Sequence, residues 1–141
     1  MLHLHAAEAL RRRTKAFALD VVRAVRGLPA RKESDVIVRQ LLRSAMSVAA
    51  NYRAACRCRS RAEFISKMNV TLEETDETFF WLEVLEDLRI APTGMLQAEC
   101  DELMRIFAAS LRTARLRDRS IRTGRPSSDP ITNHKSQIAN R

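Results

Sequence analysis

Apolar side chains recur every three or four positions along most of the chain, in four stretches separated by glycine, proline or polar turns. This spacing is typical of helices that bury one face. None of the stretches alternates apolar and polar residues as a half-buried strand does. The pattern therefore predicts an all-α protein with helices at about residues 7–26, 34–59, 61–88 and 95–117.

The predicted helices carry recognisable signals at their ends. Gly27, followed by Pro29, is placed to end the first helix. Ser34 is a candidate N-cap for the second helix, and Ser60 with Glu63 forms a capping-box pattern at the start of the third. Four helices with short connections predict an antiparallel up-down-up-down four-helix bundle over residues 1–117.

Beyond residue 117 the apolar periodicity stops. Serine, threonine, proline, asparagine and basic residues dominate, and such a composition buries too little apolar surface to fold alone. Residues 118–141 are therefore predicted to form a disordered basic tail.

The third predicted helix has two apolar stripes, and the second raises two possibilities. The first is that this stripe belongs to the core, because a middle helix of a bundle touches two neighbours. The second is that it forms a subunit interface, with tryptophan as a typical anchor. Its members are Val70, Trp81, Val84 and Leu88.

Length and composition place the chain among single-domain proteins. With 141 residues, of which 45% are apolar, it is long enough to bury a substantial core. No apolar run reaches the length of a membrane span or of a secretion signal. Three cysteines, an odd number, fit a reducing compartment, so we expect a cytoplasmic protein without membrane contact.

Residues able to carry catalysis or hold a metal are few. Cys56, Cys58 and Cys100 are one ligand short of a structural zinc site. The chain lacks the Glu-x-x-His motifs of di-iron bundles, and its three histidines lie outside the predicted helices. We therefore expect no metal, no cofactor and no catalytic residues.

Charge is unevenly distributed along the chain, whose formal net charge is +8. Residues 31–62 carry eight basic and two acidic side chains, whereas residues 63–91 carry two basic and eight acidic ones. A basic half joined to an acidic stretch suggests self-association or a polyanionic partner.

Four arginines of the second predicted helix share a narrow stripe opposite its apolar face: Arg39, Arg43, Arg53 and Arg57. The guanidinium fork matches phosphate geometry, so this stripe is a candidate nucleic-acid-binding face that would contact phosphates rather than bases. The competing interpretation is that these arginines pair with acidic residues of the stretch 73–87 on a neighbouring helix or subunit. The sequence leaves both open.

Several motifs between residues 40 and 88 resemble a known family, the bacterial four helix bundle proteins, also called intervening-sequence proteins of large-subunit ribosomal RNA genes. The motifs that carry the resemblance are Arg43-Ser44, Ser47/Ala50/Asn51, Ser60/Glu63/Phe64 and Leu72/Glu73/Glu74. The chain departs from the family in lacking an acidic residue followed by glycine after Asn51, and an aromatic-rich opening of the first helix.

The resemblance implies an antiparallel four-helix bundle that assembles as a ring-like homopentamer and has no established catalytic residues. It also implies a distant relationship to the accessory variability determinant of diversity-generating retroelements, a basic barrel that binds a reverse transcriptase and nucleic acid. We therefore expect a non-enzymatic homo-oligomer that binds RNA or DNA. The alternative is a protein-interaction scaffold for an enzyme such as a reverse transcriptase, without direct nucleic-acid contact.

Overall fold

The computed structural model describes residues 2–124, with side chains from His3 onward. Within this range the chain forms four helices and no strand: α1 (Leu2–Val25), α2 (Lys32–Ala55), α3 (Arg61–Asp87) and α4 (Gly94–Thr123). Each helix packs against its neighbours in the chain, and α1 also contacts α4. The predicted all-α four-helix bundle is confirmed.

Polar contacts between helices show that α2 packs beside α3 and that α3 and α4 run antiparallel. Between α2 and α3, the hydroxyl oxygens of Ser44 and Thr78 lie 3.0 Å apart in the core. Between α3 and α4, the Cys100 thiol donates to the Thr75 carbonyl at 3.1 Å. The Thr93 hydroxyl near the start of α4 donates to the Leu82 carbonyl near the end of α3 at 2.7 Å. The partners rise along one helix as they fall along the next, as in an up-down-up-down bundle.

The core is formed by the predicted apolar faces. On α2 the predicted face is wholly buried and consists of Ile37, Leu41, Ser44, Ala45, Val48, Tyr52 and Ala55. On α4 Leu96 is half-buried, and the rest of the predicted face is buried: Cys100, Leu103, Phe107, Leu111 and Ala114. The rings of Tyr52 and Phe107 stack across the bundle with centroids 5.6 Å apart. The side chains that lie deepest are Phe17, Val21, Leu41, Val48, Met68, Leu82, Leu85, Leu103 and Phe107.

Two of the predicted helix ends are confirmed by their geometry. Gly27 adopts φ of 88° just beyond α1, where a residue without a Cβ atom is favoured. The Ser60 hydroxyl accepts a hydrogen bond from the Glu63 amide at 3.1 Å at the start of α3. The Glu63 carboxylate in turn accepts from the Arg59 amide at 3.2 Å, which satisfies a second amide before the helix.

Both predicted ends of the second helix are wrong. The helix begins at Lys32, so Ser34 is not its N-cap but lies inside the first turn, with its small side chain buried. It ends at Ala55 rather than Arg59, because the extended backbone of Ser60, needed to cap α3, leaves only a tight turn in between. In that turn the amides of Arg57 and Cys58 bond three residues back rather than four. Arg57 therefore lies in a turn and not on the helix.

The outer helices are longer than predicted. Helix α1 begins at Leu2 and is supported in its early turns by ion pairs of Glu8 with Arg11 and Arg12. Helix α4 continues to Thr123, so residues 118–123 are not a disordered tail. No glycine or proline interrupts α4 before Gly124, which adopts a left-handed conformation as its C-cap. The remainder of the predicted tail, residues 125–141, lies outside the described residues.

Candidate nucleic-acid interface

The antiparallel packing separates charge between the two ends of the bundle. We call residues 2–12, 46–72 and 104–124 the basic end, because they bring the α2–α3 turn beside the start of α1 and the last turns of α4. Residues 13–45 and 73–103 form the acidic end. The basic end carries thirteen basic and three acidic side chains, and the acidic end nine basic and thirteen acidic ones. A field of one sign therefore concentrates at each end.

Arg43, one of the four predicted arginines, is neutralised within its own chain. Its guanidinium lies 3.2 Å from Oε2 of Glu74 and 2.5 Å from Oε1 of Glu77, both on α3. Hydrogen bonds to Glu77 and Glu74 raise the pKa of Arg43, and the hydrogen bond from Arg43 lowers the pKa of Glu77. For this residue the sequence had left pairing with the 73–87 stretch open as the competing interpretation, and the structure places it in that pairing.

The other three predicted arginines are exposed, and none has an acidic partner within the described part of the chain. These three arginines nevertheless do not form one continuous face. Arg39 lies at the acidic end, whereas Arg53 lies in the last turn of α2 and Arg57 in the following turn, both at the basic end. Fourteen helical residues separate Arg39 from Arg53, which is about 21 Å along the helix axis. The structure therefore joins Arg53 and Arg57 to the basic end and leaves Arg39 apart.

A second group of arginines, not singled out from the sequence, lines a shallow open groove of about 360 Å³ on α4. Arg112, Arg115 and Arg119 form its charged wall, and Ala108 and Leu116 complete its lining. The arginines follow at intervals of three and four residues, so they share one side of the helix. This spacing is visible in the sequence, but the predicted fourth helix ends at about residue 117, before Arg119.

The start of α3 contributes a further unsatisfied donor to the basic end. Atom Nη1 of Arg61 is enclosed by protein and has no hydrogen-bond partner among the described residues. A buried donor without an acceptor costs about 1–3 kcal/mol. This cost makes Arg61 a place where a nearby acceptor would be stabilising.

The predicted interface stripe on α3 is partly exposed. Val70 is 37% exposed and Leu88 57% exposed, whereas Trp81 and Val84 are half-buried and pack against the core. The Trp81 indole donates to the Glu77 carboxylate at 3.2 Å. Phe80, which is not among the predicted interface residues, is 51% exposed and contacts the Trp81 ring edge-on at a centroid distance of 4.9 Å.

The cysteines are not arranged as a metal centre. Cys100 is buried between α3 and α4, where desolvation raises the pKa of its thiol to about 12. Cys56 and Cys58 lie in the α2–α3 turn, and desolvation raises the pKa of the Cys58 thiol as well. Within residues 2–124, no group of three or more histidine, cysteine, aspartate or glutamate side chains could hold a metal ion. In the same residues, no helix is long and apolar enough to cross a membrane.

Taken together, the fold and surface define a class of protein: a small helical bundle with charge separated between its ends. Residues 9–109 match the model of the 23S rRNA-intervening sequence protein family, and the chain belongs to that family. This confirms the resemblance noted from the motifs between residues 40 and 88.

A solved structure supports the same assignment. It is a protein of unknown function from the S23 ribosomal protein family of Bacteroides thetaiotaomicron, determined at 1.70 Å resolution. This chain is 28% identical to it and superposes with a TM-score of 0.68, over 75% of this chain and 97% of the other. Curated proteins gave no match.

Proposed function

We propose that this chain is a non-enzymatic, cytoplasmic helical bundle that binds the phosphate backbone of RNA or DNA through its basic end. The observation that carries this proposal is the excess of basic side chains at that end, thirteen against three acidic ones. At the acidic end, Arg13 forks onto Glu99 at 2.6 and 2.9 Å, and Arg43 bridges Glu74 and Glu77. At the basic end, exposed arginines outnumber the acidic side chains that could pair with them.

Several arginines of the basic end have no acidic partner in residues 2–124, and they come from two sides of the bundle: Arg53, Arg57, Arg112, Arg115, Arg117 and Arg119. Guanidinium groups without carboxylates are free to fork onto phosphates. Neutralising phosphates releases condensed counterions, which gives affinity without base recognition.

The aromatic side chains favour phosphate contact over base stacking at this end. Tyr52 and Phe107 are buried, and Phe64 is half-buried against the core. Single-strand binders that read bases use exposed rings as stacking platforms. Within its described residues the basic end exposes none, so binding should tolerate changes of base sequence.

Fluorescence anisotropy of the nuclease-treated protein with a labelled RNA hairpin and a DNA duplex, at about 50 and 200 mM salt, tests the proposal. We expect binding to both, with a drop of roughly 10³-fold between the two salts if about six phosphates are neutralised. Binding that does not change with salt would contradict a phosphate-based mode. The preference between RNA and DNA follows from the same titrations.

We also propose that the chain forms a homo-oligomer, as the resemblance to the family implies, through the outward side of α3. Phe80 is more than half exposed on α3, and Leu88 is more than half exposed at its C-cap. Val70, 37% exposed, lies about 15 Å before Phe80 along the helix axis. Exposed apolar side chains on one helix side are typical of protein interfaces. Exposed apolar side chains also occur on α4, at Met95, Leu116 and Ile121, so it is the edge-on aromatic pair of Phe80 with Trp81 that favours α3.

Light scattering coupled to size exclusion tests the oligomer. We expect Phe80→Ser to reduce the assembly size, while Met95→Ser should leave it unchanged because Met95, 90% exposed, lies at the start of α4. A wild-type protein that is monomeric at micromolar concentration would contradict this part of the proposal.

The alternative function, a scaffold for a reverse transcriptase or another nucleic-acid enzyme, is separated by the same binding titrations. Absence of RNA and DNA binding at low salt, together with capture of such an enzyme in the presence of nuclease, would replace nucleic-acid binding with protein recognition.

A further inference from the structure

The groove on α4 differs from the rest of the basic end because three arginines lie close together and one of them, Arg115, is held by a hydrogen bond to another helix. Arg112, Arg115 and Arg119 line it together, and Leu116, 62% exposed, gives it an apolar wall. The groove lies on the part of α4 where the buried face runs out. Ala114 is 8% exposed, whereas Ile121, seven residues later on the same helix side, is 72% exposed.

From this arrangement we infer that the α4 groove is the principal phosphate site, and that it holds successive phosphates along one strand of a nucleic-acid duplex. The inference rests on the proposed nucleic-acid binding and assigns it to residues that the sequence did not single out. It makes Arg53 and Arg57 supporting contacts at a distance from this groove, on the α2 side of the basic end.

The spacing of the arginines suits a strand lying along the helix. From Arg112 to Arg119 the helix rises about 10 Å, because each residue adds about 1.5 Å. One strand of a duplex carries a phosphate about every 3.4 Å along its axis. The three guanidinium groups can therefore engage a run of roughly three phosphates on the same strand.

Arg115 is oriented before any ligand binds. Its Nη2 donates to Oδ1 of Asn69 on α3 at 2.7 Å. An amide acceptor fixes the guanidinium without neutralising it, and this leaves its charge available to phosphate. A carboxylate at the same place would instead form an ion pair, as the acidic residues do for Arg43. Asn69 is therefore a positioning residue for the groove.

The lining of the groove favours a duplex over a single strand. Alanine, leucine and arginine line it, and none of its lining residues is aromatic. Single strands gain much of their affinity by stacking bases on aromatic rings, whereas a duplex offers a regular row of phosphates. Equal lengths of duplex and single strand should thus differ in affinity in favour of the duplex.

Salt-dependent anisotropy titrations of the full chain with an RNA hairpin, a DNA duplex and a single strand of equal length test the inference. Arg112→Gln with Arg119→Gln should weaken duplex binding by about 30–100-fold, because each lost charge-assisted contact is worth about tenfold. The salt slope should fall by about 1.5, since each lost phosphate contact contributes about 0.7–0.9.

Three further variants distinguish the geometry of the arginine contacts from a general effect of charge. Arg112→Lys with Arg119→Lys keeps both charges, so the salt slope should persist while affinity falls by about fivefold through loss of the fork. Asn69→Asp should weaken binding by about tenfold because it pairs with Arg115, whereas Asn69→Ala should cost only about two- to threefold. Circular dichroism should show all of these variants folded, since the substituted arginines are exposed and Asn69 is only half-buried.

The matched control is Arg105→Gln with Arg23→Gln, which removes the same charge from arginines that already pair with acidic residues. We expect a loss of less than about threefold, because these charges are already compensated. If the control pair weakens binding as much as the groove pair, general charge explains the affinity and the groove is not a site.

The outcomes for the groove and for the proposed function are distinct. Wild-type binding that survives Arg112→Gln with Arg119→Gln but is lost in Arg53→Gln with Arg57→Gln would overturn the groove and keep nucleic-acid binding. Equal affinity for duplex and single strand would overturn the duplex preference. Failure of the wild type to bind any of the three probes would overturn both the groove and the proposed function.

Discussion

The basic and acidic ends of the bundle are built from the same helices and the same kind of core, yet the arginines that contact a neighbouring helix have different partners at the two ends. At the acidic end, arginines such as Arg13 and Arg43 are held by carboxylates from a neighbouring helix. At the basic end, Arg115 is held by the neutral amide of Asn69 instead. An arginine fixed by a carboxylate stabilises the fold, whereas one fixed by an amide remains charged toward solvent.

The role of an arginine therefore depends more on which end of the bundle it occupies than on which stripe of its helix it belongs to. Arg39, Arg43, Arg53 and Arg57 lie on one stripe by helical periodicity, but the structure divides them between the two ends. The register of α2 against α3 decides which arginine meets a carboxylate. That register is a property of the packed bundle, not of one helix.

The largest expected effect is on the free energy of unfolding. We expect it to be the same for core substitutions at the two ends. Leu82 at the acidic end and Leu111 at the basic end are 0% and 2% exposed. We expect Leu82→Ala and Leu111→Ala each to lower the free energy of unfolding by about 3 kcal/mol, by lost burial and a residual cavity. Urea denaturation followed by circular dichroism measures this.

Nucleic-acid affinity of the folded fraction should be unchanged in Leu82→Ala, because the substitution alters no charge. A loss of affinity in that variant, measured where it is fully folded, would mean that the acidic end takes part in binding.

Charge reversal should give the next largest effect. We expect it to weaken nucleic-acid binding at the basic end but not at the acidic end. Arg53→Glu with Arg57→Glu at the basic end should weaken duplex binding by about 30-fold, since reversal adds repulsion to the lost contacts. Glu83→Arg with Glu86→Arg at the acidic end is the matched pair, and it should leave affinity the same or raise it slightly. Anisotropy at about 100 mM salt compares them. Equal losses for the two pairs would show that the ends are equivalent.

The smallest effect concerns the ion pairs of Arg43. Because the Arg43 side chain is 47% exposed, we expect Arg43→Ala to lower the free energy of unfolding by only about 0.5–1 kcal/mol at neutral pH. Its effect on nucleic-acid affinity should be less than twofold, since Glu74 and Glu77 already compensate its charge.

The pH dependence of the Arg43→Ala effect follows from the lowered pKa of Glu77. A carboxyl with a lower pKa in the folded state contributes stability above the unfolded carboxyl pKa, about 4.3, and loses it as pH falls through the folded value. The difference between the wild type and Arg43→Ala should therefore shrink below about pH 4. A difference that persists unchanged at pH 2 would contradict ion pairing as its source.

Much of the fold could be predicted from the sequence, because helix faces and caps depend on local spacing. The buried face of α2, including Leu41 and Val48, follows from a repeat of three and four residues, and Ser60 caps α3 as its pattern with Glu63 indicates. The ends of the helices were harder to predict. Ser34 has the side chain of an N-cap but is small enough to be buried, and Arg31 opens the helix without a side-chain cap.

The surface was less predictable because it depends on contacts between helices. The groove on α4 needs the helix to continue past Arg117, and the orientation of Arg115 needs Asn69, which lies 46 residues earlier on another helix. Likewise, the half-burial of Trp81 beside an exposed Phe80 follows from how α3 sits between α2 and α4. Neither can be read from the spacing within one helix.

Hydrogen–deuterium exchange of the protein with and without a bound RNA hairpin tests the central claim most directly. We expect bound RNA to slow exchange in residues 46–72 and 104–123, at the basic end, and to leave residues 13–45 and 73–103 unchanged. Slower exchange confined to the acidic end, or spread equally over both ends, would contradict a nucleic-acid interface at the basic end of the bundle.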